Sequence, residues 1–182
     1  MHQAPNDYFA NVFEGHKATQ ITVGTSATLT DQALRTYNSY FGPAVHFTHM
    51  IADYDGHPLE SILLLIHAPR DLNSFHQRFG VIVKKLPHLS EEANTQLAEA
   101  YSKAVFDAFA GDQKIWDSKV RIDNPMLCEA DGPIYQLRQW YAQFYVDADK
   151  VPADVKQRKV FVTVNKVKTA PAIHHVFDHS FE

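Results

Sequence analysis

Apolar and polar residues first follow a strand-like period along this chain and then change to a helical one. The stretch "KATQITVGTSAT" is rich in Thr and Ile, residues that suit a pleated, half-buried segment. "DQALRTYNSYFGP" follows and ends at the punctuating pair Gly42-Pro43. "AVHFTHMIADY" reads as a second strand. Asp55-Gly56 behind it predicts a hairpin turn, because this dipeptide tolerates the positive φ that such turns need. "PLESILLLIHAP" is a third strand, and its near-continuous apolar centre predicts cover on both faces. "NSFHQRFGVIVKK" is a fourth, and the spacings together predict an antiparallel meander.

The period then lengthens. Ser90 is a good N-cap, and Glu91 and Glu92 suit the positive end of a helix dipole. Ala93, Leu97, Ala100, Tyr101, Ala104, Val105, Ala108 and Phe109 recur at three- and four-residue steps. They predict a wide buried stripe about five turns long at ~3.6 residues per turn. The apolar run carries on through Gly111 to Ile115 and Trp116, with Asp112 inside it. "GPIYQLRQWYAQFY" predicts a second helix with Pro133 in its first turn. "KVFVTVNKVK" alternates as a last strand. The sum is an α+β domain, an antiparallel sheet wrapped on a long helix, and such a pattern names no function by itself.

At 182 residues, 45% of them hydrophobic and 21% charged, the chain suits a single domain over 1–182. Residues 168–182 are expected to form an extended or partner-contacting tail. A net charge of −4, with no basic cluster denser than "VKQRK", argues against nucleic acid as a partner. The single cysteine, Cys128, cannot form an internal disulfide, which points to a reducing compartment. A small half-buried side chain suits Cys128 better than a nucleophile does. The N-terminal "MHQAPNDYFANVF" lacks the basic and apolar regions of a signal peptide, and "SILLLIHAP" is too short to span a bilayer. A cytoplasmic chain that does not engage a membrane is expected.

Eleven histidines raise the question of metal. His46 and His49 are three apart in a predicted strand, so alternation points their rings to opposite faces. In "HHVFDHSFE", His175 and His179 are four apart with Asp178 beside them, and a two-His-one-carboxylate site can be drawn there. That segment is short, terminal and preceded by Ala170-Pro171, so a tail that contacts a partner outweighs a metal site, and His174, His175 and His179 are left without an assigned role. His16, His57, His67, His76 and His88 show no mutual ligand spacing. The sequence has no G-x-S-x-G, no G-x-G-x-x-G and no C-x-H…C-x-x-H pattern, which excludes the nucleophile elbow, the dinucleotide loop and a Rieske cluster on their usual motifs. Asp112 stays open: a carboxylate among apolar neighbours needs an ion pair, a backbone donor or a metal.

The stretches "YFANVFEGHKATQ", "SYFGPAVHF", "ESILLLIHAP", "NSFHQRFGVIVKK" and "IWDSKVRIDNPMLCEADGPIYQLRQWYAQFYVD" occur in that order. Over roughly residues 8–160 the chain resembles the C-terminal catalytic region of the oxygenase components of 3-ketosteroid 9α-hydroxylases. These are Rieske non-heme iron oxygenases of bacterial steroid degradation. The resemblance implies the helix-grip fold of Rieske oxygenase catalytic domains. It makes Asp112 the match to the family's carboxylate iron ligand, and makes Gln20, Phe109 and Trp116 matches to positions lining a steroid pocket. Leu65 stands where family members place a polar, pocket-facing Asn. The family carries its Rieske domain and the two iron-binding histidines upstream of the segment resembling "YFANVFEGH". A chain beginning at Met1 is therefore expected to lack them, leaving Asp112 as a vestigial ligand and no catalytic residues of its own.

The expectation that follows is a non-catalytic, structural or regulatory small subunit of a heteromeric Rieske-type steroid hydroxylase. Its partner would be a full-length oxygenase α subunit, in a mixed trimer or α3β3 hexamer. That partner would hold the Rieske 2Fe-2S cluster and the mononuclear Fe(II), and this chain would bind no cofactor. A free-standing steroid-binding helix-grip module is the alternative, and an independent metalloenzyme using Asp112 with the C-terminal histidines is a distant third. Loss of packed upstream elements would expose apolar surface, which marks an interaction site.

Overall fold

Tight turns dictate how the chain folds back on itself. In a computed structural model, which describes residues 8–26, 32–72, 74–128 and 131–163, Asp55 and Gly56 take φ angles of 53° and 76°. This is the mirror-image turn that joins twisted antiparallel strands, and Asp53 locks it by accepting a 3.0 Å hydrogen bond from the Gly56 amide. Gly42, at φ 63°, turns the preceding hairpin. The strands so joined are β1 (Tyr8–Glu14), β2 (Lys17–Ser26), β3 (Gln32–Phe41), β4 (Val45–Tyr54), β5 (His57–Pro69) and β6 (Phe75–Val83). Helices α1 (Glu91–Trp116) and α2 (Ile134–Ala142) follow, and β7 (Lys159–Thr163) closes the described chain. The seven strands form one sheet in the order β6-β5-β4-β3-β2-β1-β7, with every pair antiparallel.

The meander, the Asp55-Gly56 turn, both helices and the last strand agree with the sequence. Two strands do not announce themselves there. "YFANVFE" is β1, and most of "DQALRTYNSYFGP" is β3, which pairs residue for residue with β2 and β4.

Helix α1 crosses one face of the sheet at the β5–β6 edge. Ser90 caps it by accepting from the Ala93 amide at 3.1 Å. The buried Asn94 fastens its first turn to the incoming chain: its carbonyl accepts from the Leu86 amide at 2.8 Å, and its NH2 donates to the carbonyls of Leu86, Leu89 and Ser90. Two turns on, Tyr101 and the buried Ser61 of β5 share a 2.7 Å hydroxyl bond. Beyond that, Phe106 and Phe109 pack on Phe79 of β6, with ring centroids 4.6 and 4.7 Å apart.

The wide buried stripe expected of this helix is not realised. Asn94 is its one buried residue, Ala100 and Ala104 are exposed, and Phe106 is 48% exposed. The reason is geometric: a 26-residue helix overruns a sheet edge that supports only the side facing Phe79 and Ser61. The expected cover on both faces of β5 also needs correction. Leu59, Ser61 and Leu65 are buried on the α1 side, whereas Ile66 on the other side is 39% exposed.

Helix α2 seals the opposite end of the same sheet face. Trp140, 2% exposed, packs against Phe13 and Ala18, and its indole donates to the Gly15 carbonyl at 2.9 Å. The buried Gln143 donates to the Trp140 carbonyl at 2.8 Å, and Tyr141 donates to the Pro43 carbonyl at 2.7 Å. The two helices thus leave between them a stretch of sheet that neither covers.

Candidate ligand chamber

Strand register decides which side chains share that uncovered stretch. Successive residues alternate faces, so only every second residue of each strand points toward the helices. One row runs Phe13, Ala18, Tyr40, His46, Leu65, Phe79, each the direct cross-strand neighbour of the next. The row beside it runs Asn11, Gln20, Asn38, Thr48. A cavity of about 320 Å³ opens on these two rows, walled by Asn11, Asn38, Tyr40 and His46, floored toward α2 by Leu137, with the exposed Gln20 at its edge.

The cavity is polar without being charged. Thr48 donates to the Asn38 side-chain carbonyl at 2.8 Å. The His46 ring stacks on Tyr40 with centroids 4.4 Å apart and planes 7° from parallel. Burial, with a smaller contribution from nearby His67, pulls the His46 pKa down from 6.5 to about 4, so the imidazole is neutral at neutral pH. Burial also raises the pKa of the Tyr40 phenol, which stays protonated. The Asn11 Nδ2 atom is buried and has no hydrogen-bond partner among the described residues.

From His46 the wall turns apolar. Leu65, 4% exposed, lies beside His46 in register, and Phe79 lies beside Leu65. Phe109 packs on Phe79, and Trp116 meets Phe109 edge-on with centroids 5.0 Å apart. Trp116 is 41% exposed. Gln20, Leu65, Phe109 and Trp116, singled out from the sequence, therefore lie along one face, with the amide cavity at one end and an aromatic wall at the other.

Asp112 is on α1, one turn before Trp116, and half-buried. Among the described residues its carboxylate makes no hydrogen bond or ion pair, and no group of three His, Cys, Asp or Glu side chains could hold a metal. The expected Lys, Arg or backbone partner is not found there. His46 and His49 diverge as alternation predicts: His49 stacks on Tyr37 on the opposite face and lies 3.3 Å from Glu60. Lys84, 2.6 Å from the other Glu60 oxygen, is the main reason that carboxyl sits below its usual pKa. His57 and His88 stack at 3.9 Å, a pairing their sequence separation does not suggest. Cys128 is exposed, not half-buried. His174, His175, Asp178 and His179, with the tail at 168–182, lie outside the described residues.

Sequence reasoning passed over Asn11 and Asn38, and weighed His46 only as a metal ligand. The available signal was polarity out of place: Asn11 precedes the core residue Phe13 by two positions, on the same face of its strand. Once β1 and β3 are recognised as strands, an amide in that alternation marks a wet spot on an inward surface.

A seven-stranded antiparallel sheet with a long helix packed on one face defines an α+β domain of the helix-grip kind. The chain belongs to the family described as 3-ketosteroid 9alpha-hydroxylase C-terminal domain, which it matches over residues 1–145. It is 42% identical over 163 residues to a 3-ketosteroid-9-alpha-monooxygenase oxygenase component of Rhodococcus rhodochrous, covering 85% of this chain and 42% of that protein. It is 40% identical over 159 residues to the corresponding component of Mycobacterium tuberculosis, covering 83% of this chain and 41% of the relative. A 39-residue stretch is 44% identical to a cholesterol 7-desaturase of Caenorhabditis elegans, covering 21% of this chain and 9% of that protein. The chain thus spans less than half the length of these relatives and is related to steroid oxygenases. Among the described residues, no helix is long and apolar enough to cross a membrane.

Proposed function

We propose that this chain is the steroid-enclosing, non-catalytic small subunit of a heteromeric Rieske-type steroid hydroxylase. In this role it packs in the cytoplasm with a full-length oxygenase α subunit, as a mixed trimer or α3β3 hexamer. The observation that carries the proposal is a cavity on the sheet rows through Gln20 and His46, on the sheet face that also carries the Phe109–Trp116 pair, with Asp112 making no hydrogen bond or ion pair among the described residues. A facial iron site takes two imidazoles and a carboxylate, and a Rieske cluster takes two thiolates and two imidazoles. Among the described residues no group of three His, Cys, Asp or Glu side chains could hold a metal. Both centres are assigned to the partner, and no chemical step is routed through this chain. Exposed apolar side chains along and beyond the end of α1 support the need for a partner: Ile115 is 60% exposed, Val120 83%, Ile122 61% and Met126 98%.

Co-expression with a full-length oxygenase chain tests this role. The two should co-purify, all iron should travel with the partner, and Asp112→Asn should leave iron content and turnover unchanged. A tagged chain recovered alone and monomeric, or iron lost on Asp112→Asn, would falsify the assignment.

One observation favours a second role, a free-standing steroid-binding module: residues of strands β1 to β4 and Leu137 of α2 line the cavity. Steroid titration followed by the fluorescence of Trp116 and of Trp140 behind Phe13 tests it. The absence of a saturable response from the folded, isolated chain counts against it.

A further inference from the structure

Strand β6 ends the sheet, and its outer edge carries backbone groups that the described chain does not use. The Lys84 amide donates to the Glu60 carbonyl at 2.9 Å. An antiparallel ladder bonds every second residue pair, so with Ser61 opposite Val83 the residues His76, Arg78, Gly80 and Ile82 spend their amides and carbonyls on β5. The bond from the His67 amide to the Ala44 carbonyl gives the same parity: it commits His67, Leu65 and Leu63 to β4 and leaves Ile66, Leu64 and Ile62 for β6. The amides and carbonyls of Phe75, Gln77, Phe79, Val81 and Val83 therefore point out of the sheet, and among the described residues they have no hydrogen-bond partner. The strand also lacks the usual guards of an open edge. Its nine residues, FHQRFGVIV, include no proline and no lysine, and they pair with β5 without a bulge.

The two faces of β6 describe what fits beside it. Phe79, Val81 and Val83 share the face toward α1, and Phe106 of α1, 48% exposed, packs on Phe79. A groove of about 460 Å³ lies between the end of β6 and α1, lined by Val83, Ala98 and Ser102 among others. A strand added ~4.8 Å from β6 would turn alternate side chains into this largely apolar space. The opposite face of β6 carries Arg78, which is exposed and makes no ion pair among the described residues. The strand contains no Asp or Glu, so the β6 of a second copy offers Arg78 no carboxylate, and it would bring a second α1 over the same edge.

We propose that β6 accepts an extended segment of the full-length oxygenase partner as an added strand, with apolar side chains at alternate positions toward α1 and an acidic side chain opposite Arg78. This rests on the heteromeric role above and adds to it where the partner docks and by what chemistry. Backbone bonds from five residues of β6 supply the affinity, and the groove and Arg78 select the segment.

Amide hydrogen exchange, read residue by residue on the full chain free and co-purified with a full-length oxygenase chain, tests this. In the free chain the amides of His76, Arg78, Gly80 and Ile82 should exchange slowly, and those of Gln77, Phe79, Val81 and Val83 fast. In the complex the second set should slow by about 10-fold or more. Val81→Pro removes one outward amide and leaves the ladder to β5 intact, and should weaken the complex by about 5-fold or more, the scale of one net hydrogen bond. Arg78→Glu should weaken it as well. A complex in which the four outward amides still exchange fast overturns strand addition at β6 and leaves the heteromeric role standing. Slow exchange of those four in the free chain assigns the edge to the chain itself, or to a second copy where dilution abolishes it, and overturns the proposal too. If no complex forms, the heteromeric role fails. A nine-residue peptide alternating threonine and valine, with glutamate at its central threonine position, then decides the edge: slowed exchange of the four amides supports a strand-binding site, and unchanged exchange overturns it. The wild-type exchange pattern carries the decision even where Val81→Pro does not fold.

Discussion

Protonation of His46 couples the chamber to the stability of the whole domain. In the unfolded chain the imidazole titrates near 6.5, and in the folded chain near 4. Above pH 6.5 the ring is neutral in both states and contributes no pH dependence. As pH falls below 6.5 the unfolded chain takes up a proton that the folded chain refuses until about pH 4, so stability declines across that window and levels off beneath it. At ~1.36 kcal/mol per unit of pKa difference, the full loss is about 3 kcal/mol, of which about 2 kcal/mol is reached by pH 5. Tyr40, stacked on the ring, is uncharged throughout the window. Repulsion from His67, whose own pKa burial lowers, is the smaller cause of the His46 shift and is already contained in that loss. Urea denaturation of wild type and His46→Phe at pH 7.5 and pH 5 isolates the effect, because phenylalanine keeps a ring on Tyr40 and removes the titration. Wild type should lose about 2 kcal/mol more than the variant between the two pH values. A His46 ring proton signal that titrates near 6.5, or equal losses in the two proteins, refutes the claim that this imidazole is held neutral by burial.

Three further outcomes are expected. Trp140→Ala removes the most deeply buried large side chain among the described residues and its bond to the Gly15 carbonyl, and should lower unfolding free energy by about 3–5 kcal/mol in urea melts. Tyr101→Phe leaves the buried Ser61 hydroxyl without its tyrosine partner, and should cost about 1–2 kcal/mol by the same assay, with α1 amides exchanging hydrogen faster. Asp112→Asn breaks no pair among the described residues and should change stability by less than about 0.5 kcal/mol, with steroid affinity unaltered; a larger change would reveal a partner to the carboxylate.

Features of this protein that depend on a few adjacent residues were legible in its sequence. The Asp55-Gly56 turn needs positive φ, and the dipeptide supplies it. The start of α1 needs a side-chain acceptor, and Ser90 supplies it. Alternation placed His46 and His49 on opposite faces, because two-residue periodicity is a property of the strand alone. The family motifs named the fold and singled out Gln20, Leu65, Phe109 and Trp116. The chamber itself required tertiary structure. Asn11, Gln20 and Asn38 become neighbours only through hairpin register, and Asn11 looks ordinary until β1 is seen to run between β2 and β7. Strand β1 escaped notice because "YFANVFE" is apolar at both parities, so its period does not declare a face. Helical periodicity likewise showed which side of α1 could be buried, whereas the width of the sheet beneath decided how much of it was. Only burial in the assembled sheet makes His46 a neutral part of the chamber wall, because desolvation is a property of everything packed around a side chain and not of its place in the chain.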